Sequence, residues 1–206
     1  MLDKAVAMLR GGKVVAAATE TFFGLLADIE EPRALDAVFR FKGRGAERAS
    51  ALLLPSFEAW SELVVTIPPQ AERLAEAFWP GPLTIVLPAR AGLDPRLVVD
   101  GRVGVRLPAS SPAADLVRAY GKPLTATSAN RTGEPPLSAA QEVERIFAAE
   151  VNAGELLVFP GEAPGGAPST VVALEEGELR VLREGAISKA SLQAALKPPP
   201  ADTSPR

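Results

Sequence analysis

Leu2, Val6 and Leu9, with Ala5 and Met8 beside them, recur at three- and four-residue intervals and are followed by Gly11-Gly12, a spacing that predicts a helix over 2–10. Lys13 to Ala18 then runs apolar without a period, which suits a strand buried on both faces, and it ends in the polar cluster Thr19-Glu20-Thr21. Pro32 opens a second amphipathic helix bearing Leu35, Val38 and Phe39, which delivers the chain into Phe41-Lys42-Gly43-Arg44. Ala51 to Leu54 reads as another buried strand, and Ser56 is expected to cap a short helix through Leu63. Pro69 starts a helix carrying Ala71, Leu74, Ala75 and Phe78, which Trp79-Pro80-Gly81-Pro82 must end.

Leu83 to Leu87 and Val103 to Leu107 are predicted strands, and Ser111-Pro112 begins a helix that runs through Tyr120 and stops at Gly121. Leu124 to Thr127 is a strand leading directly into Ser128-Ala129-Asn130. Ser138 with Gln141 has the spacing of a capping box ahead of Val143, Ile146 and Phe147. The last strands fall at Leu156–Phe159, Thr170–Leu174 and Leu179–Leu182, the final two joined as a hairpin through Glu175-Glu176-Gly177-Glu178. Ser188 caps a closing helix to about Leu196. Lys197 to Arg206 holds four prolines and no apolar face, so residues 1–196 are expected to form one domain and 197–206 a disordered Pro-rich tail. Strands interleaved with helices indicate an α/β or α+β domain, and the late hairpin favours a mixed sheet over an all-parallel one.

Composition narrows the chemistry. The 206 residues include no Cys and no His, which removes disulfides, Cys/His zinc sites, thiol nucleophiles and imidazole acid–base catalysis together. Carboxylates, hydroxyls, amides, Lys/Arg and the backbone remain. A formal charge of −3 argues against a general nucleic-acid coat while leaving room for a local basic patch. Val14 to Ala18 is far shorter than the ~20 apolar residues a membrane helix needs, and Met1-Leu2-Asp3-Lys4 lacks a signal-peptide layout, so a cytoplasmic protein without membrane association is expected.

No Walker A stretch, Gly-x-Gly-x-x-Gly or Gly-x-Ser-x-Gly elbow is present. Polar or basic residues instead cluster at element ends: Thr19-Glu20-Thr21, Lys42-Gly43-Arg44, Thr84, Arg106, Ser128-Ala129-Asn130, Ser169-Thr170 and Arg183. Ligands of open α/β sheets bind at such ends. Lys42 and Arg44, one Gly apart, can converge on a polyphosphate; the same pair also fits a solvated helix end. Ser128 and Asn130 offer a hydroxyl and an amide beside backbone N–H groups, or simply a turn stabilised by its own side chains. Gly161 to Pro168 reads equally as a surface connection or a flap over a site.

Taken together, KVVAAATETFFGLLAD (13–28), Lys42-Gly43-Arg44, FWPGPLTIVL (78–87), VGVRLP (103–108), PLTATSANRTGE (123–134), PSTVV (168–172) and LREGAIS (182–188) resemble, in order and over nearly the whole chain except the tail, the YrdC-like threonylcarbamoyl-adenylate synthases. The extra C-terminal domain of longer family members has no counterpart in this sequence. The resemblance implies a twisted mixed sheet with helices around a large basic cavity. It also implies an enzyme, a nucleotidyltransferase, that joins L-threonine, bicarbonate and ATP, with Mg2+ on the phosphates, into threonylcarbamoyl-adenylate and pyrophosphate for N6-threonylcarbamoyl modification of adenosine 37 in tRNA. It places Lys42, Arg44, Ser128 and Asn130 in the catalytic and ATP-binding signatures. Thr84, Ser138 and Arg183 join them at the nucleotide, and Thr21, Arg106, Ala126 and Ser169 line the amino-acid end.

Two departures stand out. Phe23 occupies the position of a family Tyr, and Leu53 that of a family His that contacts the amino acid, so His at position 53 is expected to improve threonine affinity. Alternative readings are a paralogue transferring another carbamoyl group or using another amino acid, and a non-catalytic nucleotide- or RNA-binding module.

Overall fold

The computed structural model describes residues 1–43, 51–175 and 178–197. Arg44, the hairpin residues Glu176-Gly177 and the tail beyond Lys197 lie outside the described residues. Helix α1 (Leu2–Arg10) leads into β1 (Val14–Ala18), every residue of which is buried, as its unbroken apolar run requires. The polar cluster after it is a turn, and the chain returns antiparallel as β2 (Phe23–Leu26), a strand the sequence pattern did not reveal because Phe-Gly-Leu-Leu has no alternation. Helix α2 (Pro32–Lys42) starts with Pro at its first turn and ends at Gly43, whose φ of 64° closes the helix in the left-handed region.

After β3 (Ala51–Leu53), residues Glu58–Glu62 form a 3-10 turn. Ser56 is not its cap. The segment is held by Phe57 and Trp60 packing on Trp79, with the two indole rings 5.0 Å apart. Helix α3 (Pro69–Phe78), β4 (Leu83–Pro88), β5 (Arg102–Arg106), α4 (Pro112–Tyr120) and β6 (Leu124–Ser128) follow, with Ser111 accepting from Ala114 N as N-cap and Gly121 ending α4 at φ 83°. The chain closes with α5 (Ala140–Ile146), α6 (Ala148–Asn152), β7 (Leu156–Val158), β8 (Thr170–Glu175), β9 (Glu178–Arg183) and α7 (Lys189–Leu196), the last capped by Ser188.

Among the described residues, the nine strands join one sheet in the order β7-β1-β2-β6-β3-β5-β4-β8-β9. The pairs β1–β7, β3–β5 and β4–β8 are parallel and the rest antiparallel, so the sheet is mixed as expected. One sheet face is covered along its length: β1 and β2 pack on α2 and α5 through Phe23, Phe41 and Phe147, while β4, β5 and β8 pack on α3 and α7 through Leu74, Ile85 and Leu192. The opposite face is covered only in part. There α1 and α4 pack on Val15, Leu26, Leu53 and Leu124. Where those helices stop, the described residues leave the face open, and the cavity begins.

Candidate active site

The open half of the sheet forms a cavity of about 830 Å³, the size of a small-ligand site. Period-two alternation explains its lining: Thr84 and Val86 of β4, Arg102, Gly104 and Arg106 of β5, and Val171, Ala173 and Glu175 of β8 face inward, while the residues between them enter the core. On β9 alternation alone would turn Arg183 away from Leu182. Leu182 is an extra residue of β9, bulged opposite the Val171–Val172 step of β8, so that Arg183 lies opposite Val171 and both Leu182 and Arg183 line the cavity. Gly104 keeps the floor low, since a Cβ there would sit 3.1 Å from Thr84 Cγ2.

The β1–β2 turn supplies one wall. Thr19 Oγ1 accepts from the backbone of Thr21 (3.1 Å) and Phe22 (3.3 Å) and lies 3.0 Å from Thr21 Oγ1, which fixes both hydroxyls at the cavity edge. Glu20 reaches across to β5, where Arg106 Nε donates to its carboxylate at 3.0 Å and Nη2 forms an ion pair with the same oxygen. Both side chains are nearly buried, and Glu20 Oε2 has no hydrogen-bond partner among the described residues. A buried Arg requires such a counter-charge, so Glu20 is a necessary part of the site. Its place within the polar turn Thr19-Glu20-Thr21 was the only sequence signal for it.

The opposite wall is cationic. Arg183 donates to Ser169 O through Nε (3.0 Å) and Nη2 (2.8 Å), and to Ser169 Oγ through Nη2 (2.9 Å). Among the described residues no carboxylate pairs with it. Loss of hydration along the cavity wall, and then the nearby charge of Arg106, hold its pKa below the ordinary guanidinium value. An anion placed between Arg106 and Arg183 relieves that repulsion. Ser169 Oγ is also 3.5 Å from Thr84 Oγ1, so the residues predicted for the two substrate ends meet at Ser169. At the mouth, Arg102 and Arg180 both pair with Glu175.

Lys42 and Asn130 sit at the cavity edge behind Ser128. Lys42, 3% exposed, donates to Ser128 O (2.7 Å), Ser128 Oγ (3.3 Å) and Asn130 Oδ1 (2.6 Å). Ser128 Oγ donates to Asn130 Oδ1 at 2.5 Å, and Asn130 Nδ2 donates to the Glu134 carbonyl. The end of α2 and the turn after β6 are thereby one hydrogen-bonded unit.

Seven of the predicted residues, Thr21, Thr84, Arg106, Ala126, Ser128, Ser169 and Arg183, line the cavity together. Ser138 does not. It makes no capping box, because α5 starts at Ala140 and residues 138–139 are extended against Gly161–Ala163, with Ala163 N donating to Ser138 O (2.7 Å) and Ala139 bridging Glu162. That pairing, with Gly165 N on Thr21 O (2.8 Å), makes the Gly161–Pro168 segment a fixed wall of the fold. Leu53 is also displaced from its expected role. It is fully buried among Ala5, Leu9, Val117 and Leu124 beneath α1 and α4 and is not part of the cavity lining, although Arg106 is its register partner on β5, so the expectation that His would help there is corrected: an imidazole at position 53 enters a predominantly apolar cluster. Phe23, fully buried, packs in the core shared with Phe41 and Phe147 and, unlike Leu53, also belongs to the cavity lining.

The Sua5/YciO/YrdC family model, described as telomere recombination, matches residues 7–185. The chain belongs to this family. The threonylcarbamoyl-AMP synthase of Pyrococcus abyssi is 38% identical over 185 residues, which are 89% of this chain and 53% of that protein. The threonylcarbamoyl-AMP synthase of Thiobacillus denitrificans is 34% identical over 175 residues, 84% of this chain and 90% of the relative. Sua5 of P. abyssi complexed with L-threonine superposes with a TM-score of 0.86 at 34% identity, covering 94% of this chain and 56% of that one. The chain thus spans about half of the P. abyssi protein and nearly all of the shorter synthase. The mixed sheet flanked by helices is the fold this chain shares with Sua5 and YciO structures. No described helix is long and apolar enough to cross a membrane.

Proposed function

We propose that this chain is a threonylcarbamoyl-adenylate synthase, with residues 1–196 as the catalytic unit, working in the cytoplasm for N6-threonylcarbamoyl modification of tRNA. The threonine amine combines with bicarbonate to give a carbamate and water. A carbamate oxygen attacks the α-phosphorus of ATP, and pyrophosphate leaves. The observation that carries this reading is one cavity of about 830 Å³ lined by both Arg106, neutralised by Glu20, and Arg183, which pairs with no carboxylate among the described residues and lies close enough to feel the charge of Arg106.

Bringing a carbamate and a triphosphate together opposes two anions, so charge neutralisation and positioning are the main catalytic tasks. Arg106 uses its Nε edge on Glu20 and is proposed to hold the threonine carboxylate, with Thr21, Ala126 and Ser169 shaping the amino-acid end. Arg183, Thr84 and Ser128 are proposed to face the nucleotide, with Lys42 and Asn130 supporting Ser128. Arg44 belongs to the same proposal through its place in the Lys-x-Arg pair. The donor set fits a metal carried by the substrate: the described residues hold no group of three or more acidic side chains able to bind an ion, so Mg2+ is expected to arrive on the triphosphate.

Pyrophosphate release tests the proposal. Release from ATP should require both L-threonine and bicarbonate, and Arg183→Met should reduce kcat/KM for ATP by about 100-fold, a typical loss for one preorganised charge. Release independent of threonine, or ATP binding without any release, would overturn it.

A further inference from the structure

Arg131 follows the Ser128-Ala129-Asn130 turn, lies outside the cavity lining, and makes a dense set of contacts for a side chain with no assigned role. Its Nη1 donates to the carbonyl of Phe41 at 2.6 Å, in the last turn of α2. Its Nη2 donates to Glu150 Oε1 of α6 at 2.6 Å and to the Ile146 carbonyl of α5 at 3.4 Å. The guanidinium carbon stands 4.5 Å from the centroid of the Phe147 ring, and that ring is fully buried and packs on Phe41 at 6.3 Å. One residue further on, Thr132 N donates to the Lys42 carbonyl at 3.0 Å.

We infer that Arg131 is a positioning residue for Lys42. A helix C-terminus presents unsatisfied carbonyls and a partial negative charge, and a cation bonded to one of those carbonyls fixes the last turn. Arg131 ties that turn to α5 and α6 through Glu150 and the face of Phe147, while the neighbouring turn ties Lys42 Nζ to Ser128 and Asn130. Lys42 is therefore gripped at both its backbone and its ammonium by the same stretch, 128–132. The planar fork makes all four contacts at once, which a lysine cannot.

The inference rests on the proposed role of Lys42 at the nucleotide. A misplacement near 1 Å in such a site costs about 100-fold, so Arg131→Met and Arg131→Lys should each lower kcat/KM for ATP by at least about tenfold. Equilibrium binding of L-threonine, measured by calorimetry, should change less than twofold. Glu150→Gln, which keeps a hydrogen bond but loses the charge, should give a smaller loss in the same direction. In a Lys42→Ala background, Arg131→Met should add less than twofold, because its effect passes through Lys42.

Equal losses in threonine binding and ATP use would show general loosening and overturn the inference, as would full additivity with Lys42→Ala or unchanged kinetics in Arg131→Met. Failure of the synthase proposal is read separately, as absence of threonine-dependent pyrophosphate release from the unmodified protein.

Discussion

Gly185→Ala tests whether the Arg183 wall is held by backbone packing. A Cβ at Gly185 would stand 2.1 Å from Pro168 O, 2.7 Å from Ser169 C and 2.8 Å from Ser169 O, whereas real Cβ contacts essentially never fall below 3.0 Å. Backbone must therefore move by nearly 1 Å, and neither side yields cheaply. Thr170 Oγ1 accepts from Gly185 N (3.0 Å) and Ile187 N (3.0 Å) and donates to Ile187 O (2.7 Å), while Ala186 N donates to Pro168 O (2.9 Å). Losing two or three of these bonds at about 1 kcal/mol each, with overpacking strain added, gives a destabilisation of about 2–4 kcal/mol. For a domain of this size that is a fall in Tm of about 5–15 °C. The displaced residue is Ser169, which holds Arg183, so kcat/KM for ATP should drop by about 100-fold even at temperatures where the variant stays folded. Thermal unfolding followed by circular dichroism and steady-state pyrophosphate release provide the two measurements. A variant with unchanged Tm and unchanged kinetics would show that the 168–170 and 185–187 segments are not mutually fixed.

Tyr120→Phe removes a 2.5 Å hydrogen bond from the phenol to Asp28 Oδ2, joining α4 to the turn after β2, and should cost about 1.5–3 kcal/mol in urea unfolding, as a hydrogen bond to a charged group does. Burial first, and Asp28 second, raise the Tyr120 pKa above its ordinary value, so the folded state holds this proton more tightly; that stability is fully present below about pH 10 and falls as pH rises further, a decline Tyr120→Phe should reduce. Asp94 accepts from Arg96 at Nε (2.8 Å), Nη2 (2.7 Å) and backbone N (2.9 Å), and the Arg96 hydrogen bond depresses its pKa. Its contribution is therefore present above about pH 4 and lost below, and Asp94→Asn should flatten unfolding free energy across that acid range while costing about 1 kcal/mol at neutral pH. Leu53→His should lower stability by about 2–4 kcal/mol by chemical denaturation and leave threonine affinity no better, since the side chain lies beneath α1 and α4; improved affinity would show that position 53 reaches the ligand.

The sequence by itself determined the elements whose signals are local. Pro at helix starts, Gly at helix ends and the unbroken apolar run of β1 fix their own backbone, and such local signals locate α1, α2, α3, α4 and most strands within a residue or two. It also supplied, through the ordered motifs, seven of the residues that line the cavity. Tertiary structure decided the rest, because those questions concern surfaces that meet only after folding. Whether Leu53 faces ligand or core depends on how far α1 and α4 extend over the sheet. Whether Ser138 caps a helix depends on a rival extended pairing with Glu162–Ala163, some two dozen residues downstream. Glu20 matters because β5 lies across from its turn, and Arg183 because a bulge at Leu182 in its pairing with β8 rotates it inward; both effects belong to a strand pairing that no local pattern encodes.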